Sequence, residues 1–292
     1  MTRPHALRAM ATMLVAVVAF SLMDAGLKLL SAHYPPFQVA ALRGAASLPW
    51  VGAWVLASAG VRSLRPVRVS LHLLRAGMGI AMMGAFVYAL RSLPLANAYS
   101  LFFVAPLLIT ALSGPMLGEQ VGPRRWVAIA VGLLGVLVLL RPNGHGLFST
   151  ASLAVLVAAT MYAFSAITVR WLARTDTPQA MVMWLLVSMA VGGGALALPH
   201  WVPLRAEHLW LVAGVGLAGA VGQYTIIEAF RLGEASLLAP LEYTALVCGV
   251  ALDFVLWHTL PDRITWVGAA IIVASGLYLL RRERVHVEAE HP

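Results

Sequence analysis

Residues Ser92–Gly118 read SLPLANAYSLFFVAPLLITALSGPMLG, a run without one charged side chain. A helix needs roughly 20 mainly apolar residues to cross a hydrocarbon core, and this run exceeds that length. It also lacks the strict alternation of a barrel strand. Comparable runs lie on both sides of it. Turn residues and charges divide the chain into ten apolar segments, at about 9–30, 36–58, 70–91, 94–117, 124–140, 148–172, 178–198, 208–230, 235–257 and 263–281. The connections are short and hold Pro or Gly, as in Tyr34-Pro35-Pro36, Pro142-Asn143-Gly144 and Leu260-Pro261-Asp262. The predicted fold is all-α and integral to a membrane, with ten transmembrane helices.

Composition agrees. Of the 292 residues, 61% are hydrophobic and only 11% charged, where a soluble domain carries about 25% charge. Such a chain cannot cover a water-facing surface with ionic groups. The net charge of +8 does not indicate a nucleic-acid partner. Lys28 is the sole lysine, and the arginines sit singly or in short clusters between apolar runs, which is how charge flanks membrane spans. Cys248 stands alone, so no internal disulfide is possible. Arg3 and Arg8 followed by an apolar stretch suggest a signal peptide, but no small-residue cleavage site follows and the first span is read as retained.

Basic residues also set an orientation. With the N-terminus in the cytoplasm, thirteen loop and terminal arginines fall inside and five basic residues outside. That asymmetry predicts an inner-membrane protein with both termini cytoplasmic.

An internal repeat carries the step towards function. Shifting the chain by 140 residues aligns Ala89-Leu90-Arg91 with Ala229-Phe230-Arg231, Trp126-Val127 with Trp266-Val267, and Leu139-Leu140-Arg141 with Leu279-Leu280-Arg281. Nearer the N-terminus, Ala19-Phe20-Ser21 matches Ala163-Phe164-Ser165 at a shift of 144. The chain therefore divides into residues 1–145 and 146–292, each with five spans. Five is odd, so the second half enters the bilayer inverted. Inverted repeats give transporters two related conformations, because the halves can exchange shapes.

Several motifs also resemble those of the drug/metabolite transporter superfamily, and specifically its EamA-type proteins. In the first half these are Met23-Asp24-Ala25-Gly26-Leu27-Lys28, Leu42-Arg43-Gly44, Pro94-Leu95-Ala96, Ala105-Pro106-Leu107 and Leu117-Gly118-Glu119. In the second they are Ala239-Pro240-Leu241-Glu242-Tyr243, Leu260-Pro261-Asp262 and Trp266-Val267-Gly268. The resemblance covers nearly the whole chain. It implies eight spans around a central cavity, with spans 5 and 10 peripheral. The second half departs from the pattern at Thr259, which stands where the first half has Glu119.

Seven ionisable residues fall inside spans: Asp24, Lys28, Arg43, Arg75, Glu228, Glu242 and Asp253. Charges at that depth face the bundle interior and mark either function or structural pairing. Glu242 follows Pro240, which removes a helical hydrogen bond. It is read either as a proton, cation or substrate-amine site, or as half of an ion pair with Arg43 or Arg75. Glu242, Leu246, Gly249 and Asp253 are spaced at i, i+4, i+7 and i+11, so both carboxylates share one face, which is expected to line the cavity. Asp24 and Lys28, four apart, suit a local pair. Arg43 suits either a substrate carboxylate or a lock with Asp24, and Glu228 suits a pair with Arg231. The substrate-binding or coupling candidates are Glu242, Tyr243, Asp24, Arg43, Asn97, Ser100, Phe103, Tyr162, Gln223 and Tyr224. Glycines at Gly214, Gly222, Gly132 and Gly135, with Ala218, are read as close-packing faces.

No phosphate loop, metal-spaced His cluster or nucleophile triad is visible. No catalytic residue, metal or cofactor is expected, and the chain is not read as an enzyme. The expectation is a secondary transporter, working as an exporter, for a small amphiphilic or zwitterionic metabolite such as an amino acid or derivative. Its partners are that substrate, the lipid bilayer, protons or a counter-substrate, and a second copy if it dimerises. A lipid flippase and a non-transporting membrane sensor are the alternatives.

Overall fold

The computed structural model describes residues 3–118, 121–140, 149–232 and 235–290. The Pro142-Asn143-Gly144 connection, the 145/146 division and Glu119 lie outside them. Regular structure among the described residues is helical. In order it comprises α1 (Arg3–Ser31), α2 (Pro36–Ser58), α3 (Val69–Leu90), α4 (Leu95–Phe102), α5 (Ala105–Leu117) and α6 (Pro123–Leu140). The second half holds α7 (Thr150–Leu172), α8 (Pro178–Ser188), α9 (Gly194–Ala197), α10 (Leu209–Leu232), α11 (Ala235–Glu242), α12 (Thr244–Trp257) and α13 (Arg263–Glu290). Among the described residues, nine segments are long and apolar enough to span a bilayer, and Arg263–Tyr278 within α13 is a shorter apolar tenth.

Local sequence explains the ends. Pro36 and Pro178 open their helices at a position where a missing N–H costs nothing. The Ser149 and Thr177 side chains accept the Ser152 and Ala180 N–H groups at 3.2 and 3.1 Å, capping α7 and α8. Gly118 ends α5 in the left-handed conformation, at φ 74°.

The fourth and ninth spans are broken, α4 from α5 and α11 from α12. The breaks fall at Phe103 and Tyr243, 140 residues apart like the sequence repeat. Proline accounts for the first. Pro106 cannot donate a hydrogen bond one turn after Phe103, and Val104 N–H bonds Leu101 O in a tightened turn of 3.2 Å. Pro240 precedes Tyr243 by one turn, and Tyr243 N–H bonds Pro240 O at 3.3 Å. The two break residues touch, with ring centroids 4.9 Å apart.

Packing follows the same symmetry. The largest helix pairs are α1 with α10, α3 with α7, and α6 with α13. Exchanging the halves turns the first pair into the second and leaves the third unchanged, as two inverted five-span repeats require.

The glycine faces differ from expectation in one place. Gly214 has open space around it, and the close approach on α10 is instead at Gly216, where an added Cβ collides with the Ala46 carbonyl of α2. Gly135 does meet α13, 3.1 Å from Gly268 O for such a Cβ. Hydropathy alone did not reveal which side of α10 turns towards α2.

Candidate functional site

Between the halves lies a cavity of ≈ 500 Å³, a size that encloses a drug-sized molecule. Among the described residues, its lining comes from the first four and the sixth to ninth spans, and none from α6 or α13. The lining runs from mid-bilayer towards the face where α1 begins, through Met13 and Val17 of α1, Val169 of α7 and Ile226 of α10. The far end is closed. There Gln38 donates to Val202 O at 2.6 Å and accepts Val202 N–H at 2.9 Å.

Four charged side chains reach the cavity: Asp24, Arg43, Arg75 and Glu242. No ion pair joins any two of them among the described residues. Asp24 accepts a hydrogen bond from Tyr99 Oη at 2.8 Å. Arg43 donates from Nε to Met23 Sδ at 3.2 Å and from Nη1 to Met189 Sδ at 3.1 Å. Thioethers are weak acceptors, so this guanidinium is positioned without being neutralised. Arg75 Nη1 donates to Met181 O at 2.6 Å, and its buried Nε has no partner. Glu242 has no hydrogen bond or ion pair within the described residues.

Backbone geometry holds Arg43 in place. A Cβ on the neighbouring Gly44 would lie 2.8 Å from Leu186 O and Ala190 N, so α2 and the seventh span touch at backbone distance. That span carries a π-helical turn at Met189–Gly193, a feature often found at functional sites. The turn starts at Met189, one of the sulfurs that holds Arg43. Aromatic rings form much of the remaining wall. Phe86 and Phe102 pack edge-on at 5.7 Å, and Phe102 and Tyr162 meet at a tilt at 5.4 Å.

Six of the sequence candidates line the cavity: Asp24, Arg43, Phe103, Tyr162, Gln223 and Glu242. Four do not. Ser100 is fully buried and returns its hydroxyl to Ala96 O at 2.7 Å, while Asn97 shares its side of α4. Tyr224 points outwards, 46% exposed, against Trp54 at 6.0 Å. Tyr243 lies behind Phe103, its hydroxyl pressed on Gly276.

The expected ion pairs also change. Lys28 bonds Asp253 at 3.0 Å and not Asp24. Asp253 leaves the face of Glu242 because the span breaks at Tyr243, and it is absent from the cavity wall. Neither Arg43 nor Arg75 pairs with Glu242, and no Arg43–Asp24 lock forms. Glu228 does pair with Arg231, at 2.8 Å. Phe102, an aromatic on span 4 that suits an amphiphilic solute, also lines the cavity, while Tyr99 and the sulfurs of Met23 and Met189 were not anticipated. A signal for Tyr99 existed, since Tyr99, Phe102 and Phe103 fall at i, i+3 and i+4 on one helix face.

Comparison with known proteins agrees with this architecture. The chain is 30% identical over 284 residues to a riboflavin transporter of Vibrio cholerae serotype O1, covering 96% of this chain and 95% of that protein. It is 26% identical to an S-adenosylmethionine uptake transporter of Rickettsia prowazekii, over 95% of this chain and 94% of the relative. It is also 26% identical to the pseudopaline exporter CntI of Pseudomonas aeruginosa, over 93% and 96%. A crystal structure with 23% identity shares the fold, at a TM-score of 0.63 over 94% of this chain and 98% of that one. The EamA-like transporter family profile matches twice, at residues 7–141 and 149–281. With two family repeats and a bundle that hollows where they meet, the chain belongs to the EamA-like transporter family of the drug/metabolite transporter superfamily, a multi-pass membrane transporter rather than an enzyme.

Proposed function

We propose that this secondary transporter carries a small amphiphilic, zwitterionic metabolite, such as an amino acid or derivative, across the inner membrane by alternating access. One observation carries the reading: two carboxylates and two guanidiniums face a single aromatic-walled cavity without pairing. Charges inside a bilayer normally neutralise each other. Here a ligand bearing both signs completes them, with an anionic group at Arg43 and a cationic or donor group at Glu242, while its apolar part lies against Phe102 and Phe103. Relatives named for riboflavin, S-adenosylmethionine and pseudopaline support a small organic cargo.

The arginine distribution supports cytoplasmic termini, and in that orientation the cavity loads from the cytoplasm. Export is then the direction for a metabolite made inside the cell, and the same cycle reversed gives uptake. The driving force is the substrate gradient, exchange, or protons taken up at Glu242, with Asp24 as second candidate. The test is a thermal-shift screen of the purified protein against a metabolite panel, followed by flux of the hits in proteoliposomes. Glu242→Gln is expected to express normally and lose or uncouple flux. Full pH-dependent flux by that variant rejects the role of Glu242, and a panel in which only lipids shift and move rejects the substrate class.

A further inference from the structure

Lys28 Nζ and Asp253 Oδ1 meet at 3.0 Å between α1 and α12, with the Asp253 side chain only 1% exposed. The carboxylate also accepts two backbone donors, Leu95 N–H at 3.0 Å and Ala96 N–H at 2.8 Å. These are among the first N–H groups of α4, which lack helical partners and carry the positive end of the helix dipole. Lys28 Nζ lies 4.0 Å from the centroid of the Trp257 ring. One buried carboxylate thus ties α1, α4 and α12 together at the closed end of the cavity.

The inverted repeat supplies an internal control. The shift of 140 carries Asp253 to Ser113 and the start of α4 to the start of α11. The shift of 144 that holds near α1 carries Lys28 to Leu172. Ser113 spends its hydroxyl on Thr110 O of its own helix at 3.0 Å, and Leu172 is a buried apolar residue. Neither charge has a charged counterpart. Packing shows the same asymmetry: α4 lies along α12, while α5 and α11 share no such packing among the described residues. The end with the carboxylate is shut, and the end without it is open.

We propose that Lys28, Asp253 and the start of α4 form a one-sided gate latch, which holds the face away from the termini closed and biases the resting carrier towards opening at the termini. This rests on the alternating-access reading above. Opening the far face requires α4 to leave α12, and Asp253 must then release two N–H groups and Lys28. Separating a buried pair leaves uncompensated charge in the bundle, which is unfavourable. Asp253 touches no cavity space, so it is a positioning residue that acts through α4.

The test is side-specific thiol labelling of the full-length chain in proteoliposomes of sorted orientation. The reporter is Ala166→Cys, on the cavity wall, with Cys248→Ser removing the native thiol, and the probe is a membrane-impermeant maleimide. Without the latch substitutions, labelling is expected from the termini side alone. Asp253→Asn is expected to add labelling from the far side at least roughly tenfold above that background. Lys28→Met, which leaves the α4 cap intact, shifts labelling the same way by less, and Asp253→Glu restores most of the original pattern. Labelling confined to the termini side in both monodisperse Asp253→Asn and Lys28→Met overturns the latch while leaving alternating access standing. A reporter reached from the far side alone, before any latch substitution, overturns the proposed bias. One reached from both sides at once in the same molecule overturns alternating access itself.

Discussion

On the face away from the termini, the loop after α1 reaches the start of α10 through Tyr34 and His208, at 2.8 Å. On the face that carries the termini, the loop after α7 reaches the start of α3 through Asp176 and His72, at 3.0 Å. These contacts are counterparts under exchange of the halves, and both are made in one conformation. Each joins the first half of the chain to the second, and because both are made at once they are not alternating gates. The broken spans behave otherwise, since α4 meets α12 on one face while α5 and α11 stay apart on the other. Contacts with a counterpart on each face hold the fold, and under the proposal above the contact without a counterpart sets its state.

The largest expected effect comes from removing a charge that the fold leaves unpaired. Arg43→Gln should lower flux of a carboxylate-bearing substrate by roughly 10- to 100-fold, the value of a hydrogen bond to a charged group. Transport of the corresponding amide should change little. Arg43→Lys should recover only part, because a lysine cannot donate to Met23 and Met189 in the same fork. Proteoliposome flux with matched acid and amide substrates measures this, and equal losses for both would remove Arg43 from anion recognition.

A middle-sized effect is expected at the Asp176 contact. Burial raises the Asp176 carboxyl, but hydrogen bonds from Thr175, His72 and the Val67 N–H outweigh it and hold the group at about 2, below the ordinary 3.8. A carboxylate depressed in the folded state stabilises it fully above its unfolded value, and that contribution fades as pH falls towards the folded one. Thermal unfolding should therefore lose stability as pH drops from about 3.8 to about 2. Asp176→Asn should be less stable at neutral pH and lose less on acidification. An acid branch of unchanged steepness in that variant assigns the loss to other groups.

The smallest effects belong to residues turned away from the cavity. Tyr224→Phe keeps the contact with Trp54, and Ser100→Ala removes a hydroxyl bonded only within its own helix. Both should leave stability within about 0.5 kcal/mol of the parent and flux unchanged. A clear loss of flux in either would mean that the cavity reaches further in another conformation.

Much of the candidate site was legible in residue type and depth. Asp24, Arg43 and Glu242 stood out because charge is rare in spans, and all three face the cavity. Spacing was a weaker guide to partners. Asp24 and Lys28 sit one turn apart, yet Lys28 bonds a residue 225 positions away. The i, i+11 relation of Glu242 and Asp253 assumed a continuous helix, and the break at Tyr243 removed it. On α4, polar Asn97 and Ser100 and aromatic Phe102 and Phe103 all stood out in the sequence, and only the aromatic side, with Tyr99, faces the cavity.

The sequence by itself determined that this chain crosses a bilayer about ten times, in two repeats of odd span number and therefore opposite sense. Lipid leaves backbone groups no partner outside the segment, so apolar length dictates helices and parity dictates inversion. Tertiary structure alone decided which buried charges neutralise each other, which face the cavity unpaired, and which end of the bundle is shut. Those outcomes depend on distances of a few ångströms between spans remote in sequence. The helix breaks and the glycine contacts set these distances, and no periodicity along a single helix encodes them.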